Sequence, residues 1–261
     1  MIVAKRNNYD YATVINKALD ARNSLSLSSY EQVDIFKILR DKENVSIILT
    51  EMKGDISGFF LRKEDICVIV INNKNTLGHQ RFAAAHEYYH YKFNRGMTYK
   101  ICPILKYDDE YEVEKEANIF ASHFLMPDAA LEYYLGKRVV RRELNISDLV
   151  FLENHFMISH KFTLNRIREI NKKLNITDED SLIEMEAGII GQAKRLGYST
   201  DIYKTTSGKG REIFSNYAEL ANELLEEKKI SFGKYEQILL DGGYESSLFG
   251  SDEDNEEENM L

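Results

Sequence analysis

The stretch RFAAAHEYYHYKF, Arg81 to Phe93, places two histidines four residues apart with a glutamate directly after the first. On an α-helix, residues four apart are offset by about 40° around the axis and lie one turn along it, so His86 and His90 point the same way. Phe82 and Phe93 fall on nearly the same stripe, which turns the histidines toward the interior. Two buried neutral imidazoles aimed at one point are what a helix can offer a divalent zinc ion, and Glu87, about 100° further round, flanks that point without binding it. The residues spell HExxH. Taken alone, the pattern also fits two core histidines satisfied by carbonyl groups. The decision rests on whether the chain supplies a third ligand.

A third histidine six residues after the second is excluded, because Phe93 and Gly96 stand where that version needs glycine and histidine. A second helix is the other source. In YEVEKEANIFASHFLMP, Tyr111 to Pro127, the apolar residues Val113, Ala117, Phe120, Ala121, Phe124 and Leu125 recur at helical spacing and Pro127 closes the run. Glu114 and Glu116 border that stripe on opposite sides, and periodicity barely separates them. Asn118 favours Glu114: it lies one turn on and on the same side, where it could hold a metal-ligating histidine through its second ring nitrogen. Glu116 reads as an exposed helix carboxylate, and His123 sits nearly opposite Glu114. A site of three protein ligands leaves a fourth position open, and Glu87 is the candidate general base beside it.

Upstream, SSYEQVDIFKILRD (Ser28–Asp41) reads as an amphipathic helix capped by Ser28 or Ser29. NVSIILTEM, ISGFFLR and DICVIVINN are short β-branched or aromatic runs separated by turn-forming residues, which predicts three strands of one sheet. The third, continuously apolar from Ile66 to Ile71, is expected to be covered on both faces. If GFFLR or VIVIN lay at a sheet edge beside the histidines, an extended peptide could add there as a further strand.

The 261 residues, 43% of them hydrophobic, are ample for a core. Cys67 and Cys102 show no pairing pattern, and the N-terminus lacks a sustained apolar run, so the expected setting is a reducing cytoplasm. No stretch has the length of a membrane span. The formal charge is −9, but the end of the chain, SDEDNEEENML, holds six of the acids, without which the charge is −3. That tail, residues 250–261, reads as disordered and solvated.

A different class of function is suggested by ISDLVFLENHFMISHKFTLNRIREI, Ile146 to Ile170. It reads as two helices joined near Met157 to Ser159, with His160, Lys161, Asn165 and Arg168 on the face a DNA-reading helix would use. The surrounding Lys137, Arg138, Arg141, Arg142, Lys172 and Lys173 make the region mildly basic. Candidates for a contact to a developing oxyanion or to substrate are Arg166, His155, His160, Tyr88 and Tyr89.

Three ordered motifs, QRFAAAHEYYHYKF (Gln80–Phe93), EKEANIFASHFLMP (Glu114–Pro127) and HFMISHKFTLNRI (His155–Ile167), together resemble the ImmA/IrrE family of zinc metallopeptidases. The likeness spans roughly Ser28 to Ile170. Where that family commonly has Leu-Gly between the glutamate and the second histidine, this chain has Tyr88-Tyr89. The resemblance implies an α+β fold, with a small mixed sheet packed on zincin-type active-site helices and a helical C-terminal region after them. It implies Zn2+ held by His86, His90 and Glu114, Glu87 as the catalytic base, and cleavage of a helix-turn-helix repressor that controls mobile-element or stress genes. The expected organisation is a metallopeptidase domain over 1–135, a helix-turn-helix-like subdomain over 136–175 and a mostly helical region over 176–249. The competing expectation is a DNA-binding or ligand-sensing regulator that keeps the scaffold with little or no peptidase activity.

Overall fold

The structure, a computed structural model, describes residues 11–64, 66–96, 99–103, 112–139, 143–174, 177, 180–181 and 188–244. The acidic tail lies outside them. The fold is α+β: a five-stranded mixed sheet and helices that are laid against it and against one another.

Helix α1 (Tyr11–Ser24) is the first element among the described residues and buries Val14, Ala18 and Ala21, spaced four and three apart. Its last turn carries Arg22, whose buried guanidinium donates to the carbonyls of Phe124 (2.6 Å), Glu31 (2.8 Å) and Ser28. One arginine thereby fixes a loop and satisfies a carbonyl that a helix end leaves open. Burial lowers its pKa to about 10, against the raising effect of Glu31.

The expected helix at Ser28 starts later. Helix α2 runs from Ile35 to Asp41, with Asp34 as its N-cap, accepting from the Lys37 amide at 3.3 Å. Asp is as good a cap as Ser, and it sits directly before the apolar turn, where the cap is needed.

Strands β1 (Ser46–Thr50), β2 (Ile56–Lys63) and β3 (Ile66–Asn72) share one sheet, as their composition predicts. Two strands without a sequence-level signal join them: β4 (Tyr99–Pro103) and β5 (Glu212–Phe214). The order is β4-β2-β3-β1-β5; β1 and β3 are parallel and the other pairs antiparallel. Neither β2 nor β3 is an edge, so the proposed peptide docking on GFFLR or VIVIN is ruled out by their neighbours. On β3, Cys67, Ile69 and Ile71 are buried and so is Val70, but Val68 is half-buried and Ile66 is 70% exposed, so its cover is complete on one face only.

Helix α3 (Leu77–Phe93), capped by Thr76, follows β3 directly and lies between the sheet and helix α4 (Glu112–Leu125), which α1 covers in turn. Cover on both sides explains why its buried residues run unbroken from Gln80 to His90. Helices α5 (Asp128–Arg138), α6 (Ile146–Phe156) and α7 (His160–Leu174) follow, then α8 (Ile189–Arg195), a 3-10 turn at Asp201–Tyr203, β5, and helices α9 (Tyr217–Glu226) and α10 (Phe232–Asp241). Of the mostly helical region expected over 176–249, residues 177, 180–181 and 188–244 are described.

The turn between α6 and α7 is pressed against the start of α3. A β-carbon added at Gly78 would lie 2.5 Å from the Ser159 amide nitrogen and 2.6 Å from the Ile158 carbonyl carbon, and backbone cannot step aside as a side-chain tip can. Gly78→Ala is therefore expected to destabilise the protein by about 1–3 kcal/mol. Gly136, inside α5 with open space around it, should tolerate alanine or gain about 0.5–1 kcal/mol from it. Urea unfolding of the two variants checks the contrast, and equal effects would show that the α3 contact is not tight.

Candidate metal centre

HExxH lies in the second half of α3, where the helix is most enclosed: His86 is 5% exposed, and Glu87 and His90 not at all. Glu114, 4% exposed, reaches them from the first turn of α4. Its Oε2 is 3.2 Å from His86 Nε2 and its Oε1 3.4 Å from His90 Nε2, while the two Nε2 atoms are 3.1 Å apart. Glu116 is on another path, accepting from the Tyr89 hydroxyl and lying 4.0 Å from Lys17 Nζ.

The outer ring nitrogens decide what the inner ones can do. His86 Nδ1 is 2.9 Å from Asn118 Oδ1, and His90 Nδ1 is 3.0 Å from Asn94 Oδ1. An amide oxygen only accepts, so each Nδ1 carries a proton and, in the neutral ring, each Nε2 turns a lone pair inward. Two inward lone pairs and a carboxylate, all buried and with donor atoms within 4.8 Å of one another, form a donor set that fits a divalent metal ion. Phe60 stacks on His90 with centroids 6.0 Å apart, closing the sheet side.

Asn94 had no place in the sequence reading, though the signal was available. It stands four residues after His90, on the same face, as Asn118 stands four after Glu114. It is also the residue that caps the end of α3, donating its backbone N–H to the His90 carbonyl.

Glu87 reaches Gly58 of β2, where a β-carbon would lie in ordinary contact with Glu87 Oε1 at 3.6 Å but only 2.9 Å from Ile71 Cδ1 and 3.0 Å from the Val70 carbonyl oxygen. The β2–β4 register shifts between Ile56 and Gly58, and the intervening Ser57 Oγ is 3.0 Å from His79 Nε2. His79 lies seven residues before His86, on the same face of α3. Burial, helped by the charge of Lys161, lowers its pKa to about 4, so this ring is neutral under ordinary conditions.

The other candidate side chains are engaged elsewhere. Tyr88 and Tyr89 are buried core residues packed on Phe120, with Tyr88 against Phe124 and Tyr89 against Phe93. Their hydroxyls donate to Glu43 and Glu116. The pair that departs from the Leu-Gly pattern thus joins α3 to α4 and to the loop after α2. Arg166, 2% exposed, donates to the Met126 carbonyl at 3.1 Å and to Asp128 and Glu169, with His123 at 3.3 Å, binding α7 to the α4–α5 junction. His160 Nδ1 and the Tyr203 hydroxyl both meet the buried Glu153 carboxylate at 2.6 Å. His155 Nε2 is 3.1 Å from the Tyr30 carbonyl. On α7, Phe162, Thr163, Leu164, Arg166, Ile167 and Ile170 are buried, Asn165 and Arg168 are half-buried, and Lys161, Glu169 and Lys172 are exposed.

Residues 40–168 match the family model Peptidase M78, an IrrE N-terminal-like domain. That part of the chain belongs to the ImmA/IrrE family. The metal-ligand candidates His86, His90 and Glu114 and the paired Asn94 and Asn118 all fall inside the ImmA/IrrE domain, whereas β5 comes from beyond it. No curated protein matches the chain at a significant level. Among the described residues no helix is long and apolar enough to cross a membrane.

If Glu114 is the third ligand, Glu114→Gln will weaken metal binding far more than Glu116→Gln, and Asn118→Ala or Asn94→Ala will weaken it by about 10–100-fold. Competition with a chromogenic chelator gives the ranking; a larger effect at Glu116 would reverse the assignment.

Without metal, burial pushes the His86 pKa down, but the Glu114 hydrogen bond, the charges of Glu87 and Glu114 and the Asn118 contact outweigh it, and the net shift is upward. Stability from the charged pair is fully present below the ordinary imidazole value of 6.5 and is lost as pH rises through the raised one. A metal ion takes the place of that proton. Chelator-treated protein should therefore lose urea resistance on the alkaline side, while metal affinity climbs over the same interval. Parallel trends would contradict a shared site.

Proposed function

We propose that the protein is a cytoplasmic zinc-dependent endopeptidase that cleaves a helix-turn-helix repressor and so releases mobile-element or stress genes. The observation that carries this reading is the donor set. Two imidazoles whose outer nitrogens are held by Asn118 and Asn94, with one carboxylate between them, is the ligand composition of hydrolytic zinc sites. The ImmA/IrrE domain supports peptide-bond hydrolysis, and the repressor substrate follows from the likeness to that family.

When bound at His86, His90 and Glu114, zinc would supply Lewis acidity to a peptide carbonyl and make an attacking water more acidic. The chain's own contribution is protonic and positional. Glu87, adjacent to His86 and fully buried, takes the proton of the attacking water and returns it to the leaving amine. Asn94 and Asn118 hold the imidazoles in the tautomer that directs Nε2 inward.

The DNA-binding alternative finds less support. Of the face a reading helix would use, His160 is held by Glu153 and Asn165 and Arg168 are half-buried, and the α6–α7 turn is set against Gly78.

Glu87→Gln should retain zinc and lose cleavage of the neighbouring repressor by about 100-fold or more, as expected for removal of a general base. Mass mapping of fragments after co-incubation checks this; zinc retained with unchanged cleavage would remove Glu87 from the mechanism.

A further inference from the structure

A cavity of about 380 Å³ lies where the segment around Thr206–Phe214, beyond the ImmA/IrrE domain, meets α2, β1 and the start of α3. Its floor is apolar. Phe36 and Phe214 stack there with centroids 5.5 Å apart and ring planes 17° from parallel, and Leu49 and Leu77 extend the surface. Its charged groups are unequal in sign: Arg81, Lys37, Arg40 and Lys209 against Asp34 and Glu212. The acids sit 3.8 Å from Arg81 and 3.7 Å from Lys209, and Asp41, just outside the lining, holds Arg40 at 2.5 Å, so Lys37 is the cation that these pairs leave over, in a chain whose net charge is −9.

Arg81 is the buried member of this group, its side chain 7% exposed. It donates to the Val33 carbonyl, yet its Nε makes no hydrogen bond among the described residues. Arg81 lines the cavity, and its charge, offset by Asp34 only across 3.8 Å, favours an anion there. The cavity's volume is within the usual range of small-molecule sites.

We propose that this cavity binds a small organic anion: a phosphate or carboxylate group met by Arg81, Lys37 and Lys209, carried on an aromatic body that lies against the Phe36–Phe214 floor. Its walls come from the ImmA/IrrE domain, from Asp34, Phe36 and Lys37 just before it and from the segment after it. An occupant therefore ties that segment to α3, on which His86 follows Arg81 by five residues. The site is independent of the peptidase reading and stands whether or not the metal centre is hydrolytic.

Titration calorimetry of the full chain at low ionic strength tests it, with phenyl phosphate and benzoate as probes and benzyl alcohol and inorganic phosphate as controls. The expected result is saturable one-to-one binding of at least one aryl anion; whichever binds more tightly identifies the anionic group. Both controls should bind at least about tenfold more weakly, and the Lys37→Glu/Lys209→Glu double variant should weaken the aryl anion by about tenfold. Those lysines are exposed, so the fold should persist, with an unchanged melting temperature as the check, and Lys229→Glu outside the cavity should leave binding as it was. No saturable binding of either aryl anion would overturn the proposal. So would equal binding of benzyl alcohol or inorganic phosphate, or indifference to the double variant.

Discussion

Two imidazole nitrogens 3.1 Å apart, both facing one buried carboxylate, impose the constraint around which the rest of the molecule is arranged. Out of water, such a group is costly unless a cation or a proton occupies the point where its members meet. The chain builds the enclosure from both sides. The sheet covers one face of α3 and α4 covers another, and α1 holds α4 in place through Arg22 on the Phe124 carbonyl. Asn94 and Asn118 then set the direction of each ring. The aromatic cluster of Tyr88, Tyr89, Phe120 and Phe124 supplies the packing that keeps the two helices at this distance.

Much of this was legible because the information is local. HExxH fixes two side chains on one helix face by geometry alone, and the three hydrophobic strands carry their own composition. The choice between Glu114 and Glu116 turned on a single residue, Asn118, and the structure gives the physical reason: Asn118 and Glu114 meet the same imidazole, on its two nitrogens. What could not be read was non-local. Tyr88 and Tyr89 are candidates for an oxyanion or substrate contact by their position in the motif, and their hydrogen-bond partners, Glu43 and Glu116, lie 45 and 27 residues away. Arg166 meets Glu169 one turn along its own helix, but its Asp128 partner and the Glu153 partner of His160 are brought near by tertiary packing. The start of α2 was a local error: two serines drew the cap too early, and Asp34 stood closer to the apolar turn.

The region after residue 168 changes how the domain organisation looks. Although the ImmA/IrrE match ends there, Glu212–Phe214 pairs with β1, so the sheet includes a strand from beyond the matched domain. The same segment runs along the entrance to α3: the Thr206 amide donates to the Asn73 carbonyl and the Leu77 amide to that of Lys204. Tyr203 adds a hydrogen bond to Glu153 on α6. A three-residue strand after a long irregular stretch has too little periodicity to stand out in a sequence. Its consequence is that the helix bearing the histidines is braced at its first turn by the C-terminal part of the chain.

The most direct test of the central claim is the anomalous difference density of zinc in crystals of the zinc-loaded protein. The account predicts one dominant peak bounded by His86 Nε2, His90 Nε2 and a Glu114 carboxylate oxygen, at about 2.0–2.2 Å from each. A peak ligated by Glu116, a peak that leaves either histidine unliganded, or zinc bound only elsewhere on the molecule would contradict it.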